Sequence, residues 1–422
     1  MHPLYQILAR AANRNRVKPG EFIVVKVDLA EINDLYLQVI LSFKEMGGDK
    51  VWDPRKITFV MDHYAPAPTI KAAENQKKMR EFAKEQGIKH FFDINQGICH
   101  QVMPEAGLVW PGMLLVATDS HTTTHGAFGA FSTGIGATDM AAVLLTGEMW
   151  LRVPEIIKIN IEGKIRKGIM AKDIILYIIA QLGTDIALYK AIEFDGEVVK
   201  QLPLDERLVL CNMSVEMGAK ATYIGPDEKV TEYISHTNPE KYKEFRFVKR
   251  RNNINNEEYE SIYNFDISNL EPQVALPHKV DNVVPVSQAV GEPIHQALIG
   301  TCTGGRINDI KIAAQILKGK KIASSIRLLI VPASNKILEK CIELGYIRDL
   351  LYAGATLVTP SCGPCLGAHE GVLAPGENCI STSSRNFPGR MGSTDAKIFL
   401  SSPATVAASA IKGAITDPRE FL

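Results

Sequence analysis

Short apolar runs alternate along the chain with longer stretches whose apolar residues recur at helical spacing. Residues 23–27, 57–61 and 114–118 are short runs rich in Ile, Val and Leu, which predict buried strands. The spacing of apolar residues in 32–46 and 74–85 predicts amphipathic helices. Strands that alternate with helices in this way are typical of α/β layers around a mainly parallel sheet.

The same alternation continues in a second unit and resumes again beyond a charged stretch. Residues 156–161 predict a strand, and 171–182 and 208–217 predict helices. Residues 240–264 are rich in Lys, Arg, Asn and Glu, and they are interpreted as a connection. A chain of 422 residues has room for two to four domains at ~150 residues each. We therefore divide it into three α/β domains, comprising residues 1–153, 154–270 and 271–422.

The charge balance narrows the classes of partner. Lys and Arg number 47, Asp and Glu also number 47, and no basic stripe stands out, so nucleic acid is not expected as a partner. No apolar run approaches the ~20 residues needed to cross a bilayer, so no membrane association is expected either. Hydrophobic residues make up 46% of the chain, which is ordinary for a globular protein with large cores.

The seven cysteines indicate a reducing compartment. Their number is odd, the chain is long and no secretory signal is recognised, so a disulfide framework is not expected and we predict a cytoplasmic location. Four cysteines lack the spacing of metal ligands and are interpreted as small buried hydrophobic residues: Cys99, Cys211, Cys341 and Cys379.

Cys362 and Cys365 form a C-x-x-C turn stiffened by Pro364, which brings both sulfurs to one side. On its own this motif also fits a thioredoxin-like redox pair, half of a zinc site or two structural cysteines. Cys302, in a second glycine-bearing turn, supplies a third thiol. Thiolates suit iron–sulfur clusters, and three of them on a four-iron cluster would leave one iron free to bind a substrate oxygen.

Three histidines stand beside acidic or polar residues at predicted strand ends and turns: His63, His100 and His121. Asp62 precedes the first of them, and Asp119 lies two residues before the last. A carboxylate bonded to an imidazole fixes its tautomer and increases its basicity, which suits acid–base catalysis. Each histidine taken singly also fits a hydrogen-bonded structural residue, and His125 is assigned that structural role.

A carboxylate and two arginines complete the candidate site. Glu216 lies within a predicted apolar helix face, where a buried carboxylate needs a partner, and a histidine is suited to that role. Arg385 and Arg390 flank the Pro388-Gly389 pair, which breaks a helix, so both lie in a predicted loop. Because guanidinium groups bind carboxylates through paired hydrogen bonds, this loop is predicted to bind an anionic substrate. The alternative is an ordinary exposed loop with surface arginines.

Six segments together resemble the aconitase superfamily. They are Met61-Asp62-His63 and residues 118–122, 134–139, 300–303, 361–365 and 385–390. The resemblance covers nearly the whole chain, and this combination of segments is highly specific. The chain length resembles the branch that contains the large subunits of isopropylmalate dehydratases and homoaconitases.

The resemblance implies a fold, an activity and a partner. The expected fold is three α/β/α domains with mainly parallel sheets around a central iron–sulfur cleft, with the fourth, swivelling domain carried by a separate small subunit in a heterodimer or heterotetramer. The expected activity is that of a hydro-lyase, which isomerises a hydroxy di- or tricarboxylic acid by removing and re-adding water. The favoured substrate is 3-isopropylmalate, in leucine biosynthesis, and homoaconitate and 2,3-dimethylmalate are the alternatives.

The resemblance also assigns roles to residues. One 4Fe–4S cluster per chain would be bound by Cys302, Cys362 and Cys365, with one iron lacking a protein ligand. The expected catalytic residues are Asp62, His63, His100, Asp119, His121 and Glu216. Substrate carboxylates would be held by Asn33, Ser120, Arg385 and Arg390. Within this set His63 would protonate the departing hydroxyl.

The remaining implication concerns the partner. The base that removes the carbon-bound proton would be a serine of the small subunit, so the large subunit by itself should be inactive. The chain departs from the usual sequences of the branch at Leu35, Tyr36 and Ser384, none of which belongs to a cysteine motif. Two other classes of protein stay open from the sequence, namely a cluster-free RNA-binding regulator and a structural zinc protein, and the neutral charge disfavours the first.

Overall fold

The computed structural model describes residues 1–245 and 256–422, and these residues form eighteen strands and fourteen α-helices. The strands are β1 Phe22–Lys26, β2 Leu29–Asn33, β3 Ile57–Val60, β4 His90–Phe92, β5 Leu114–Ala117, β6 Phe131–Gly134, β7 Glu148–Arg152, β8 Ile156–Glu162, β9 Ala191–Asp195, β10 Ala221–Tyr223, β11 Ser261–Asp266, β12 Gln273–Ala275, β13 Val283–Pro285, β14 Gln296–Gly300, β15 Arg327–Val331, β16 Thr356–Leu357, β17 Asn378–Ser381 and β18 Lys397–Ser401. The helices are α1 Pro3–Ala11, α2 Leu37–Glu45, α3 Ile70–Gln86, α4 Cys99–Glu105, α5 Ala137–Thr146, α6 Ala171–Leu182, α7 Glu197–Gln201, α8 Leu204–Met213, α9 Glu228–Thr237, α10 Pro239–Phe245, α11 Ile307–Leu317, α12 Asn335–Glu343, α13 Tyr346–Ala353 and α14 Pro403–Lys412.

Strands β2 to β6 form a five-stranded parallel sheet in the order β4-β3-β2-β5-β6. Its central strand β2 corrects the sequence analysis, which assigned residues 32–46 to one helix, whereas α2 begins only at Leu37. All five residues of β2 are buried, so its sequence lacks the alternation of a half-exposed strand and merges with the helical pattern that follows. The predicted strands at 57–61 and 114–118 are confirmed as β3 and β5.

The predicted strand at 23–27 lies outside this parallel sheet. Instead, β1 pairs antiparallel with β7, with Phe22 opposite Arg152 and Lys26 opposite Glu148. Alternate residues of β1 are exposed, so one face of this two-stranded sheet is open to solvent. A strand with one open face needs no second layer, which explains why it stands apart from the α/β alternation.

The second sheet has the order β10-β9-β8-β11 and is also parallel. The predicted helix 171–182 is confirmed as α6, and the predicted strand 156–161 as β8. The charged stretch 240–264 is more than a connection, because it includes most of α10 and most of β11. Strand β11 pairs with β8. Residues 246–255 of that stretch lie outside the described part of the chain.

The third sheet has seven strands in the order β13-β12-β18-β17-β14-β15-β16. Strand β12 runs antiparallel to β13 and β18, and the pairs from β18 to β16 are parallel. The strands of each of the three larger sheets fall within one of the three predicted domain ranges. The expectation of an α/β fold with mainly parallel sheets is therefore confirmed.

Two apolar cores hold these layers together. One lies beside the first sheet and includes Leu8, Val39 and Phe82. The other is continuous through all three domain ranges, since it includes Leu115, Ile175 and Ile299. Fully burying one such side chain stabilises the fold by roughly 1.5–3 kcal/mol. Among the described residues, no helix has both the length and the apolar content that a bilayer-spanning segment requires.

The carboxyl ends of the first and third sheets face each other. The chain leaving β2, β3 and β5, which are neighbours in the first sheet, carries the candidate acid–base residues. The chain leaving β14 carries Cys302, and the loop after β17 carries Arg385. The backbone N–H of Ile98, in the first domain, donates to the carbonyl of Ala333, in the third, at 2.9 Å. The cleft between the two edges is where α/β sheets usually bind ligands.

Candidate active site

A series of short contacts joins histidines and carboxylates at the ends of β3 and β5. His63 Nδ1 lies 2.7 Å from Asp62 Oδ1, and its Nε2 lies 3.3 Å from Asp119 Oδ2. His100 Nε2 lies 3.1 Å from the other oxygen, Asp119 Oδ1. Asp119 therefore bridges two imidazoles, because β3 and β5, which lie on either side of β2, present their carboxyl ends at the same edge of the parallel sheet.

His121 and Glu216 form a second pair, which joins the first and second predicted domain ranges. His121 follows β5 in a 3₁₀ turn, and its Nε2 lies 2.9 Å from Glu216 Oε1. The predicted helix at 208–217 is corrected here, because α8 ends at Met213 and Glu216 lies in the 3₁₀ turn that follows. Arg385 Nε donates to the same carboxylate oxygen at 2.7 Å, and its Nη2 donates to Ser120 Oγ at 3.2 Å.

Buried charges set the protonation states of the first group. Burial by itself would lower the pKa of His63, but Asp62 and Asp119 raise it well above its usual range. Burial would likewise raise the pKa of Asp119, but the surrounding imidazoles, His100 first, hold it well below its usual range. His63 is therefore an imidazolium beside an ionised carboxylate, and at neutral pH it carries a proton that it can donate.

In the second pair, too, the charged forms of the histidine and the carboxylate are favoured. Burial opposes the charge on His121, but hydrogen bonds to Asp119 and Glu216 raise its pKa. Burial also opposes the charge on Glu216, but His121 and Arg385 lower the pKa of this carboxyl group. The result is a buried ion pair with a guanidinium at its edge.

Asp34 is a residue of the site that the sequence analysis missed. Its Oδ1 accepts from the backbone N–H of His63 at 2.9 Å, and its Oδ2 accepts from Tyr64 N at 2.9 Å and from Gln76 Nε2 at 3.0 Å. Asp34 therefore fixes the turn that carries His63. The signal was available, because an acidic residue follows a buried strand at this position, but the strand itself was assigned to a helix.

His125 lies behind His100, with ring centroids 5.6 Å apart and an edge-to-face arrangement. Neither of its ring nitrogens has a hydrogen-bond partner among the described residues. Burial, chiefly, holds the pKa of His125 well below its usual range, so the ring is neutral. His125 therefore packs against His100 as an uncharged ring.

Three buried thiols lie beside the acid–base residues. Cys302 is in the 3₁₀ turn Thr301–Thr303 after β14. Cys362 directly precedes the next such turn, Gly363–Leu366, and Cys365 lies within it. The backbone N–H of Cys362 donates to the carbonyl of Asp62 at 2.8 Å. One backbone hydrogen bond thus ties the C-x-x-C turn directly to the acid–base motif.

The spacing of the sulfurs distinguishes between kinds of metal centre. Among the described residues, the only three His, Cys, Asp or Glu side chains whose ligand atoms lie within 4.8 Å of one another are Asp34, Asp62 and His63. At least one pair of the three cysteine sulfurs is thus more than 4.8 Å apart, which is wider than the about 3.8 Å at which a tetrahedral zinc ion holds thiolates. A wider spacing suits a cluster, in which each thiolate binds its own iron.

The thiols differ in acidity. A hydrogen bond with Cys365, together with burial, raises the pKa of Cys362 well above its usual range. The same hydrogen bond lowers the pKa of Cys365, which also accepts from Arg390 Nη2 at 3.5 Å. Burial raises the pKa of the Cys302 thiol to about 12. Cys365 is therefore the most acidic of the three thiols, and metal binding would favour the thiolate form of all three.

Glycine is required in the C-x-x-C turn for two reasons. Gly363 has φ +56° and Gly367 has φ +74°, which side-chain-bearing residues rarely adopt. A Cβ at Gly367 would meet the backbone nitrogen of Gly392 at 2.9 Å, and one at Gly363 would meet Val331 at 3.0 Å. The turn can therefore approach the neighbouring loops only without side chains at these positions.

Several polar atoms at the edges of this cleft are buried without a hydrogen-bond partner among the described residues. They are Asn33 Nδ2, Ser384 Oγ and Arg390 Nε. Buried polar groups are normally paired, so a bound polar or anionic group would satisfy them. Two of the three are donors only, and three thiols lie beside them. The residues present therefore fit a thiolate-bound metal cluster with an anionic substrate.

Glu31 is a second buried residue that the sequence analysis missed. It lies in the central strand β2, and neither of its carboxyl oxygens has a hydrogen-bond partner among the described residues. Burial, followed by the charges of Asp62 and Asp119, raises its pKa well above the usual range. Its neighbour in β3, Thr58, also has an unpaired hydroxyl. Glu31 is therefore a neutral carboxylic acid behind the acid–base residues.

We expect Glu31→Gln to change how stability depends on pH. A carboxyl group whose pKa is higher in the folded than in the unfolded chain stabilises the fold fully below about pH 4.5, the unfolded value, and loses that contribution as pH rises. Relative to the variant, the unfolding free energy of the wild type should fall by roughly 1.4 kcal/mol per pH unit above that value. Urea unfolding of both proteins at several pH values measures this difference. Parallel profiles would contradict it, and Glu85→Gln, an exposed residue of α3, is the matched control.

The sequence was compared with those of known proteins. The Aconitase family (aconitate hydratase) matches residues 6–296 and 290–413. The 3-isopropylmalate dehydratase large subunit 1 of Methanopyrus kandleri is 48% identical over 99% of this chain and 98% of that protein. The 3-isopropylmalate dehydratase large subunit of Aquifex aeolicus is 47% identical over 99% and 96%. A probable methanogen homoaconitase large subunit of Methanosarcina mazei is 47% identical over 94% of this chain and 100% of that protein.

Proposed function

The chain belongs to the aconitase family, and from this we propose that it is the large, catalytic subunit of an iron–sulfur hydro-lyase. The observation that carries the proposal is the 2.8 Å hydrogen bond from Cys362 N to the carbonyl of Asp62. It places a thiol-rich turn against an imidazolium–carboxylate pair, which is what removal of a hydroxyl group requires. A structural zinc protein would not need the charged histidine beside its cysteines.

Members of this family generally use a 4Fe–4S cluster, and in this chain Cys302, Cys362 and Cys365 would hold it. When bound through three cysteines, such a cluster supplies a Lewis-acidic iron that polarises a hydroxyl and a carboxylate. The surroundings of the three cysteines are suited to binding the cluster. Arg390 donates to Cys365, and the three sulfurs are buried from water.

His63 is suited to donate the proton that the departing hydroxyl needs. Its imidazolium form is favoured by Asp62 and Asp119, so the proton is present at neutral pH. Asp62 also fixes the orientation of the His63 ring through Nδ1. The other ring nitrogen, Nε2, then lies beside Asp119 and faces the cleft. A general acid placed in this way contributes roughly 10²–10⁴-fold to a reaction rate.

The substrate carboxylates would be held by side chains at the mouth of the site. Arg385 and Ser120 are already joined by a hydrogen bond, so both can face the same anionic group. Asn33 offers an unpaired amide nitrogen from the end of β2. The two arginines have different partners, with Arg385 on Glu216 and Arg390 on Cys365, which gives the site two separate cationic positions.

The substrate we propose is 3-isopropylmalate, with a small subunit as the partner that completes the site. The named relatives from Methanopyrus kandleri and Aquifex aeolicus support this substrate, and their description as large subunits supports the partner. The relative from Methanosarcina mazei supports homoaconitate as the second candidate, at nearly the same identity. Proton removal from carbon is assigned to the partner, and the described residues of this chain supply the acid.

We expect this chain to show no dehydration of 3-isopropylmalate by itself and to gain that activity when mixed anaerobically with its small subunit. The reason is that the carbon-bound proton needs a base that the partner supplies. Absorbance of the unsaturated product, with 3-isopropylmalate, homocitrate and 2,3-dimethylmalate tested in parallel, measures the activity and ranks the substrates. Full activity of the chain alone would overturn the two-subunit proposal, and activity on homocitrate alone would replace the substrate.

A further inference from the structure

Lys172, in the first turn of α6, is a fully buried lysine whose hydrogen bonds all go to uncharged groups. Its Nζ lies 2.7 Å from the carbonyl oxygen of Ser383, 3.0 Å from that of Thr382 and 3.2 Å from Thr303 Oγ1. Its fourth contact is Met213 Sδ at 3.5 Å. These contacts satisfy the donors of the ammonium group but not its charge.

Three of the four partners of Lys172 belong to two loops of the third domain, and the fourth, Met213, ends α8. Thr303 directly follows Cys302, and Thr382 begins the loop that leads to the arginines. The loops are themselves joined, because Thr303 Oγ1 donates to Thr382 O at 2.6 Å and Gly300 N donates to Thr382 Oγ1 at 2.9 Å. Lys172 therefore reaches from the second domain to the point where the two loops meet.

A buried ammonium group is costly unless an anion lies nearby. Burial lowers the pKa of Lys172 to about 8, and negative charge on Cys302, Cys365, Glu216 and Asp309 acts against that shift. None of these anionic groups hydrogen-bonds to the ammonium group, whose contacts are all with uncharged atoms. A cluster held by thiolates would add negative charge beside the Cys302 loop, which Lys172 contacts through Thr303.

We propose that Lys172 is the counter-charge of the metal centre bound by Cys302, Cys362 and Cys365, and that it ties the Cys302 loop to the Thr382 loop. The inference rests on the proposed function, because it requires a bound cluster. A positive charge held in the low-dielectric interior stabilises negative charge close to it. It therefore favours retention of the cluster and its reduced state. Lys172 is a positioning residue, since it contacts the loops and not the substrate.

The test uses the full-length protein with its cluster assembled anaerobically. Lys172→Met keeps the length of the side chain but removes its charge and its hydrogen bonds. We expect iron to be lost in air at least roughly tenfold faster than from the wild type, as for other buried charges that lose a partner. We also expect the reduction potential of the cluster, measured by EPR-monitored titration, to become more negative.

Three further variants separate charge from shape. Lys172→Arg keeps the charge and is expected to stay near the wild-type potential. Lys172→Gln keeps two donors without charge and is expected to follow Lys172→Met. Lys158→Met is the matched control, because Lys158 lies in the same domain but pairs with Asp195. Its iron loss and potential should match those of the wild type.

Each possible result supports or contradicts either the inference about Lys172 or the proposed function. If the wild type takes up a cluster and Lys172→Met and Lys172→Gln keep its iron-loss rate within twofold and its potential unchanged, the inference is wrong and the proposed function stands. If the wild type binds no iron, the proposed function itself fails. If neither neutral variant folds while Lys172→Arg does, the requirement for a charge is supported. If all three variants fail to fold, shape rather than charge is what the position demands, and the inference is overturned.

Discussion

Replacing Cys365 by Ser is expected to abolish hydro-lyase activity and to remove the bound iron. Cys365 is the thiol with the lowered pKa and the hydrogen bond from Arg390, so it is the natural first ligand of the centre. Serine offers a hard, neutral oxygen in place of a soft thiolate. Losing a Lewis-acidic iron costs several kcal/mol of transition-state stabilisation, which is a rate loss of roughly 10³-fold or more. Cys302→Ser and Cys362→Ser should behave alike.

Iron and acid-labile sulfide, assayed alongside the rate with the small subunit present, measure this effect. Cys341→Ser and Cys379→Ser are the matched controls, because both cysteines are buried in the third domain and neither lies in a cysteine motif. Placing a hydroxyl in an apolar site costs about 1–3 kcal/mol of stability in every variant. Only the three ligand variants should lose iron. Wild-type iron content and rate in Cys365→Ser would remove this cysteine from the site.

Replacing His63 by Gln is expected to lower the rate by roughly 10²–10⁴-fold while leaving the iron content unchanged. In the proposed reaction the imidazolium of His63 is the proton donor, and His63 is not one of the proposed cluster ligands. The rate and the cluster absorbance, measured on the same sample, separate the two effects. His90→Gln is the control, because His90 lies on the outer strand of the same sheet. An unchanged rate in His63→Gln would move the acid elsewhere.

Asp62→Asn refines this result through the dependence of the rate on pH. Asp62 raises the pKa of His63, so removing its charge lowers that pKa. The imidazole then loses its proton at lower pH, and the alkaline limb of the rate profile should move to lower pH. A profile that keeps its alkaline limb in place would show that another group supplies the proton.

The sequence predicts best where the chain obeys a single period. α6 was predicted with its observed bounds, because its apolar residues follow the helical repeat from end to end. β2 was missed for the opposite reason. This strand is covered on both faces, and it carries Glu31 and Asn33, polar residues whose place in a buried strand is explained only by the site beside it.

The candidate site was predicted as a set of residues but not as an arrangement. A motif identifies Cys362 and Asp62 separately, yet no local pattern indicates that the two backbones, 300 positions apart in the sequence, are hydrogen-bonded. Lys172 was missed because a lysine in a helical pattern normally faces water. Its burial depends on loops that arrive from the third domain, and only the folded chain brings them together.

Mössbauer spectroscopy tests directly whether the three thiols hold a cluster with one open iron. The sample is the anaerobically purified protein, enriched in the Mössbauer-active iron isotope. With the small subunit present, addition of 3-isopropylmalate or homocitrate should shift the signal of roughly a quarter of the iron, one site of four, and leave the rest unchanged. Zinc in place of iron, or a spectrum in which all iron sites respond equally or not at all to both acids, would contradict the proposed centre.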